Sequence, residues 1–305
     1  MAIISGNVSN LYDARIGKAY YLYLNMFPPE YTSWCDVRSS KQQYEKESLY
    51  GELPMPDEVG EYENFPETSL SEGPVRTWTH KKFGYKLIAS RESFEDERFP
   101  VIVRTAEAMG EAMRHRIETE GAYDLINSFT ASTVGKSDTA DETLCATSHA
   151  TFAGAGGAAQ ANAPAVDVTL GTDSLWAAID NFAGLDDHEG NPIMQVPRKL
   201  IIPPQYKRKA KEILNSEGMP YKSTNEDNAL YSEGLQYVIG HYLNTSSTYW
   251  WVITDKKPII FFMRRPPEIK MEDTITNDSK TWVISTRLSH APLDWYPIYG
   301  TDGAA

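Results

Sequence analysis

The chain has 305 residues, is 41% hydrophobic and 23% charged, and carries a formal net charge of -13. It is long enough for one large or two modest domains with a real core; it has no run of eighteen apolar residues to form a membrane-spanning helix and no basic-then-apolar leader at residues 1–6. Two cysteines, Cys35 and Cys145, exclude a disulfide framework or a cysteine-rich zinc site and fit a reducing, cytosolic origin, while the negative charge argues against a dedicated nucleic-acid reader without excluding a container wall that faces nucleic acid.

Residues 1–34 read as an extended arm with a short helix at 14–25. Tyr12, Tyr20, Tyr21, Tyr23, Phe27, Tyr31 and Trp34 crowd into it, and Pro28 and Pro29 break it. So many aromatics need a surface, either their own domain or, the sharper reading, a neighbour. Residues 45–72 hold nine acids and one base, Lys46, with Pro54, Pro56 and Pro66 breaking any helix. The sign then flips: residues 75–89 alternate as a strand and carry Arg76, Lys81, Lys82 and Lys86. An acidic limb followed by a basic strand predicts a long two-stranded excursion, stabilised by lying on another subunit. Loops of this length seldom occur without a role.

The spine of the chain is predicted at residues 97–129. Ile102, Ala106, Met109, Met113 and Ile117 recur at steps of three and four, one helical face. About thirty residues make a helix of roughly 45 Å at ~1.5 Å per residue, which needs a sheet or another subunit to lie against. Pro100 fits its first turn, with Glu95, Asp96 and Glu97 at the positive end of the dipole. Gly110 implies close backbone approach. Arg104, Glu107, Glu111, Arg114, His115, Glu118 and Glu120 are expected to face solvent or a partner.

Residues 130–143 are polar and turn-rich, and 153–165 form an Ala/Gly-rich surface loop. From residue 165 to 245 a compact α/β unit is predicted. It holds a helix capped by Thr172 or Asp173, a turn at 186–192, a buried strand at 199–203 and a basic amphipathic helix at 204–216. In the last sixty residues, 249–253 and 259–263 predict a hairpin about 255–258, ended by Arg264-Arg265-Pro266-Pro267. A further alternating strand covers 282–288. No internal repeat is visible.

Candidate chemistry is sparse. Dinucleotide, P-loop, nucleophile-elbow and HExxH motifs are absent from the sequence. Cys145 and His149, with His188 and His241, are the candidates for a nucleophile and base or for zinc ligands. Asp186, Asp187 and Glu189 form a loose acidic turn without the closing Glu of a calcium loop. Arg198, Lys199, Lys207, Arg208, Lys209 and Lys211 form a basic cluster suited to phosphate or, better, to the acidic excursion of another subunit. Catalytic, cofactor and metal sites are therefore expected to be absent.

The order of parts resembles the major capsid protein of tailed bacteriophages, and the local sequence is similar to the Mu-like major head subunits. The residues that carry this are Leu144, Ser148-His149, residues 170–178, Asp186 with Gly190-Asn191-Pro192, and Pro197-Arg198-Lys199-Leu200-Ile201-Ile202-Pro203-Pro204 leading to Ala210 and Leu214. Tyr249-Trp250-Trp251, Arg264-Arg265-Pro266-Pro267-Glu268 and Trp282 complete the set. The resemblance implies an α+β capsid fold with an N-terminal arm (1–40), an extended loop (41–92) and a peripheral domain with the spine helix (93–150). An inserted axial domain (151–245) and C-terminal peripheral strands (246–305) would follow.

It also implies self-assembly into hexamers and pentamers of an icosahedral virion shell around double-stranded DNA. Assembly would take place in the host cytoplasm with portal, scaffold or protease, and decoration proteins, and without a membrane. No coiled-coil segment precedes the arm, so a separate scaffold or prior cleavage is expected, and Met1 argues against cleavage. Some relatives crosslink a lysine of the excursion to an asparagine; Lys46 is the one lysine at its acidic end, no partner asparagine can be named from the sequence, and no crosslink is expected. Arm aromatics would carry the affinity between subunits, with salt-screened charge pairs setting register. The alternatives are an encapsulin-type compartment and a Cys/His hydrolase.

Overall fold

A computed structural model describes residues 5–70, 72–90, 92–93, 99–134, 142–152, 157–218, 227–246, 248–274 and 279–303. Helix α1 (Ser5–Leu24) leads through a 3-10 turn, Tyr31–Ser33, into β1 (Cys35–Ser39) and β2 (Tyr44–Tyr50). Then follow β3 (Glu72–Thr79), β4 (Lys81–Ser90), helix α2 (Phe99–Ile126), and the short β5 (Thr133–Val134) and β6 (Glu142–Thr143). The middle of the chain holds α3 (Thr172–Ala183), β7 (Pro197–Ile202), α4 (Lys207–Leu214), α5 (Ala229–Ser232) and β8 (Gln236–Ile239). Strands β9 (Trp250–Thr254), β10 (Ile259–Thr274), β11 (Ser279–Pro292) and β12 (Ile298–Thr301) close it.

Two four-stranded sheets organise these elements. The first runs β1-β10-β11-β4 and the second β12-β9-β7-β8. The predicted spine helix is α2. Its stripe Ile102, Ala106, Met113 and Ile117 is buried: Ile102 and Ala106 pack with Ala89 and Trp282 of the first sheet, and Met113 and Ile117 join Ile259, Phe261, Ile284 and Leu288 in the main core. Pro100 lies in its first turn; Glu95, Asp96 and Glu97 lie outside the described residues.

The arm differs from its expected form. Residues 5–24 are one helix, and it lies on α2 of its own chain. A Cβ on Gly110 would meet the Tyr20 carbonyl oxygen at 2.5 Å, so the glycine does mark a close helix crossing. Ile16, Tyr20, Tyr31 and Trp34 are buried in the same molecule. Part of the arm's aromatic surface is therefore buried at home, while Tyr21 and Phe27 stay exposed.

The C-terminal strands also depart from the expected hairpin. Strands β9 and β10 belong to different sheets. β9 is buried along its whole length, and its run Trp250-Trp251-Val252-Ile253 supplies apolar side chains to both faces. A strand apolar on both faces belongs inside a sheet covered on both sides, and β9 sits between β7 and β12. Sheet membership thus does not change at residue 245: β9 and β12 complete the sheet of the α/β unit. Nor does Arg264-Arg265-Pro266-Pro267 end a strand. β10 continues to Thr274 across irregular register between Met263 and Glu268, because two prolines without N–H groups cannot join the ladder. Helix α3 starts after Gly171, whose N–H is accepted by Ser174 Oγ at 2.8 Å, in place of the expected Thr172 or Asp173 cap.

Candidate assembly surfaces

The predicted excursion is built from β2 and β3, paired antiparallel from Tyr44–Thr79 to Tyr50–Glu72. The basic strand splits: its first half is β3, and its second half, β4, pairs with β11 as a sheet edge. Three contacts fix the excursion's root. Trp78 is buried with Ile260 and Phe262 on the first sheet, its ring 5.4 Å from that of Phe262. Gly73 lies under the Phe152 ring, where a Cβ would meet ring carbon at 2.6 Å. Arg76 donates to the Thr133 carbonyl.

Beyond this root the chain finds no support. From residue 52 to 70 every side chain but Val59 is exposed, including Met55 at 73%, Phe65 at 83% and Tyr62 at 100%. Glu52, Asp57, Glu58, Glu61, Glu63 and Glu67 line the same stretch, with no base among them. At its far end Glu63 N–H donates to the Gly60 carbonyl at 3.2 Å, and Gly60 N–H donates to Glu63 Oε2 at 2.9 Å. Tyr62 sits in this turn with φ 65, the left-handed region that side-chain-bearing residues seldom occupy. These exposed apolar residues add to Leu22, Met26 and Phe27 of the arm as surface that the chain itself leaves uncovered. The signal lay in the sequence, as Leu53, Met55, Tyr62, Phe65 and Leu70 scattered among acids and prolines without the periodicity of a helix or strand.

Below the root, α2 and β11 bury a charged cluster where the sequence pointed to solvent. Glu120 and Asp124 flank His290: Nε2 lies 3.0 Å from Glu120 and Nδ1 lies 2.8 Å from Asp124. Arg116 pairs with Glu120 from one turn back, and Ser132 donates to Asp124 at 2.6 Å. Burial alone pushes an imidazole's pKa down, but the two carboxylates outweigh it and hold His290 up at about 9. Glu118 is buried too, accepting from the N–H groups of Glu30 and Tyr31 at 3.1 Å and pairing with Arg114 at 2.8 Å.

The four Cys/His candidates do not converge. Cys145 is buried, and burial pushes its thiol up to about 12, so it is no thiolate nucleophile. His149 hydrogen-bonds Asn162 Oδ1 at 2.9 Å and stacks on Trp295 at 4.3 Å, and burial lowers its pKa. The Asn162 amide in turn donates to the Leu144, Trp295 and Ile298 carbonyls, so this segment ties two parts of the chain together. His188 stacks on Phe152 at 3.6 Å, and burial lowers it to about 4. His241 is on the surface, 2.6 Å from Glu30. Among the described residues no group of three His, Cys, Asp or Glu could hold a metal ion.

The acidic turn and the basic residues resolve locally. Asp187 Oδ1 accepts from the N–H groups of Glu189 and Asn191 at 2.9 and 2.7 Å, a self-contained turn. Arg198 faces Asp255 at 3.5 Å, Lys199 donates to the Ser33 carbonyl at 3.2 Å, and Arg208 pairs with Glu212 at 2.8 Å. Lys207 and Lys211 are exposed. Arg264 donates to the Ser40 carbonyl at 3.2 Å and Arg265 to Ser285 at 3.0 Å, so both arginines hold the bulged strand.

The family model of the phage capsid protein matches residues 75–300, well over half of the chain. No curated protein matches it. Among solved structures, a virus-like particle from Pyrococcus furiosus superposes with a TM-score of 0.56 at 10% identity, covering 94% of this chain and 98% of that one. The procapsid of bacteriophage JBD30 gives 0.53 at 14%, over 99% and 77%. The capsid of a native GTA particle gives 0.55 at 11%, over 90% of each. At these identities the likeness is one of fold, the tailed-phage capsid fold; the finer similarity to Mu-like head subunits rests on the sequence motifs alone. Fold and family model agree: the chain belongs to the phage capsid protein family and is a major capsid protein.

Proposed function

We propose that the chain assembles with copies of itself into hexamers and pentamers of an icosahedral shell enclosing double-stranded DNA, and that it catalyses no reaction. The first-sheet unit with α1 and α2 serves as the peripheral domain. The second-sheet unit, with β9 and β12 included, serves as the axial domain at the capsomer centre. Portal, scaffold or protease, and decoration proteins are its further partners, met in the host cytoplasm.

The observation that carries this reading is the excursion at residues 52–70. A soluble monomer gains nothing from Met55, Tyr62 and Phe65 held in water, and exposed apolar clusters mark surfaces that partners cover. Negative-stain microscopy of the purified chain tests it. Closed particles of uniform diameter are expected; a monodisperse monomer at every concentration ends it. The likeness to a virus-like particle favours one second reading, a compartment that stores protein. Particles recovered from cells separate the two, by nuclease-protected DNA or by protein cargo.

A further inference from the structure

One cavity of about 290 Å³ lies between β3, α2 and β11, lined by Arg76, Trp78, Lys81, Tyr123, Ser132 and His290 among others. That is the lower end of the size range of ligand pockets, ~300–1,000 Å³, and suits a single large side chain. Building on the shell reading, we propose that Tyr62 at the excursion's tip inserts into this cavity on the next copy, head to tail.

Four observations support the pairing. First, Tyr62 is wholly exposed in a left-handed conformation. Such a residue costs ~1–3 kcal/mol and persists where it has a use, and its own chain gives it no contact in return. Second, the charges match. Glu61 and Glu63 flank Tyr62, while Arg76 and Lys81 stand at the cavity. The acids deeper inside, Glu120 and Asp124, are held by His290 and Arg116. Third, the half-exposed Tyr123 ring is available at the cavity for an aromatic contact.

Fourth, the occupant has to come from another copy. The cavity lies at the excursion's own root, where β3 is paired along β2, and Tyr62 is wholly exposed, so it does not fill the cavity of its own chain. From residue 50 to 62 the chain spans at most roughly 40 Å at ~3.3 Å per residue. That is about twice the ~19 Å radius of gyration expected for a 305-residue chain, enough to reach a neighbour. A tip-to-root contact joins two different surfaces, and such contacts repeat around a ring until it closes.

The test is a cysteine pair, Asn64→Cys beside the tip with Ala131→Cys on the cavity wall, oxidised after assembly, which leaves Tyr62 and Lys81 in place. Both wild-type residues are exposed, so the fold is not at risk, and Cys35 and Cys145 are buried. A ladder of crosslinked chains extending past the dimer on a denaturing gel is expected. A ladder that stops at the dimer, or none at all in particles that form normally, overturns the seating and leaves the shell reading intact. Tyr62→Ala alone is expected to raise the concentration needed for assembly at least tenfold; an unchanged threshold also overturns it. If the wild-type chain forms no closed particles, the shell reading falls and this contact with it.

Discussion

At the residue scale the firmest consequences come from His290 and Gly110. Two buried carboxylates keep His290 protonated up to about pH 9, against ~6.5 for a free histidine. A folded-state pKa raised above its unfolded value contributes stability that is complete below pH 6.5 and lost as pH climbs through 9. At ~1.36 kcal/mol per pH unit the cluster is worth roughly 3 kcal/mol. Wild-type protein is therefore expected to lose urea resistance between pH 7 and 10 more steeply than His290→Gln; equal slopes would count against the cluster. Gly110→Ala places a methyl group 2.5 Å from the backbone oxygen of Tyr20. Overpacking costs ~1–3 kcal/mol and alanine's helix preference returns at most ~1, so the urea midpoint is expected to fall. The need for Gly110 was legible from the sequence, since a glycine inside a strongly periodic helix asks for a reason. The burial of Glu118 and Glu120 was not, because their positions read as polar until a histidine 170 residues away comes to face one of them.

At the element scale, long periodic segments were readable and pairings between distant strands were not. The stripe from Ile102 to Ile117 locates α2 because a helix must bury one face wherever it ends up. By contrast, β9 and β10 are separated by residues 255–258 alone, yet they part into two sheets. Only the burial of both faces of β9 explains that, and a short apolar run does not announce it. The excursion was legible as a unit, while its division into an anchored root and a bare tip depended on Trp78 finding Phe262. That division makes a prediction. Replacing residues 51–71 by Asn-Gly joins Tyr50 to Glu72, already paired, through a two-residue hairpin turn. Thermal stability is expected to stay within about 0.5 kcal/mol, since the tip adds almost no buried surface, and particles are expected to disappear. Normal particles from this variant would show that the tip has no structural part in the wall.

At the scale of the whole molecule, one limb is folded home and the other is not. Helix α1 completes the layer over α2, while the tip of the excursion is left exposed on its own chain. The net charge of -13 bears on what such a wall does to DNA. Affinity for duplex DNA comes mainly from cations that neutralise phosphates and release counterions, with non-specific Kd values typically ~10⁻⁴–10⁻⁶ M at physiological salt. Within the basic cluster, Arg198 faces Asp255, Lys199 donates to the Ser33 carbonyl and Arg208 pairs with Glu212. An excess of acids over the whole surface adds repulsion. The purified chain is thus expected to bind a labelled duplex no more tightly than ~10⁻⁴ M at 0.15 M salt, with little change in anisotropy as salt is lowered. Tight binding that weakens steeply with added salt would mean that a concentrated basic face grips duplex DNA, and that a wall built of this chain would be an adhesive lining instead of a passive boundary.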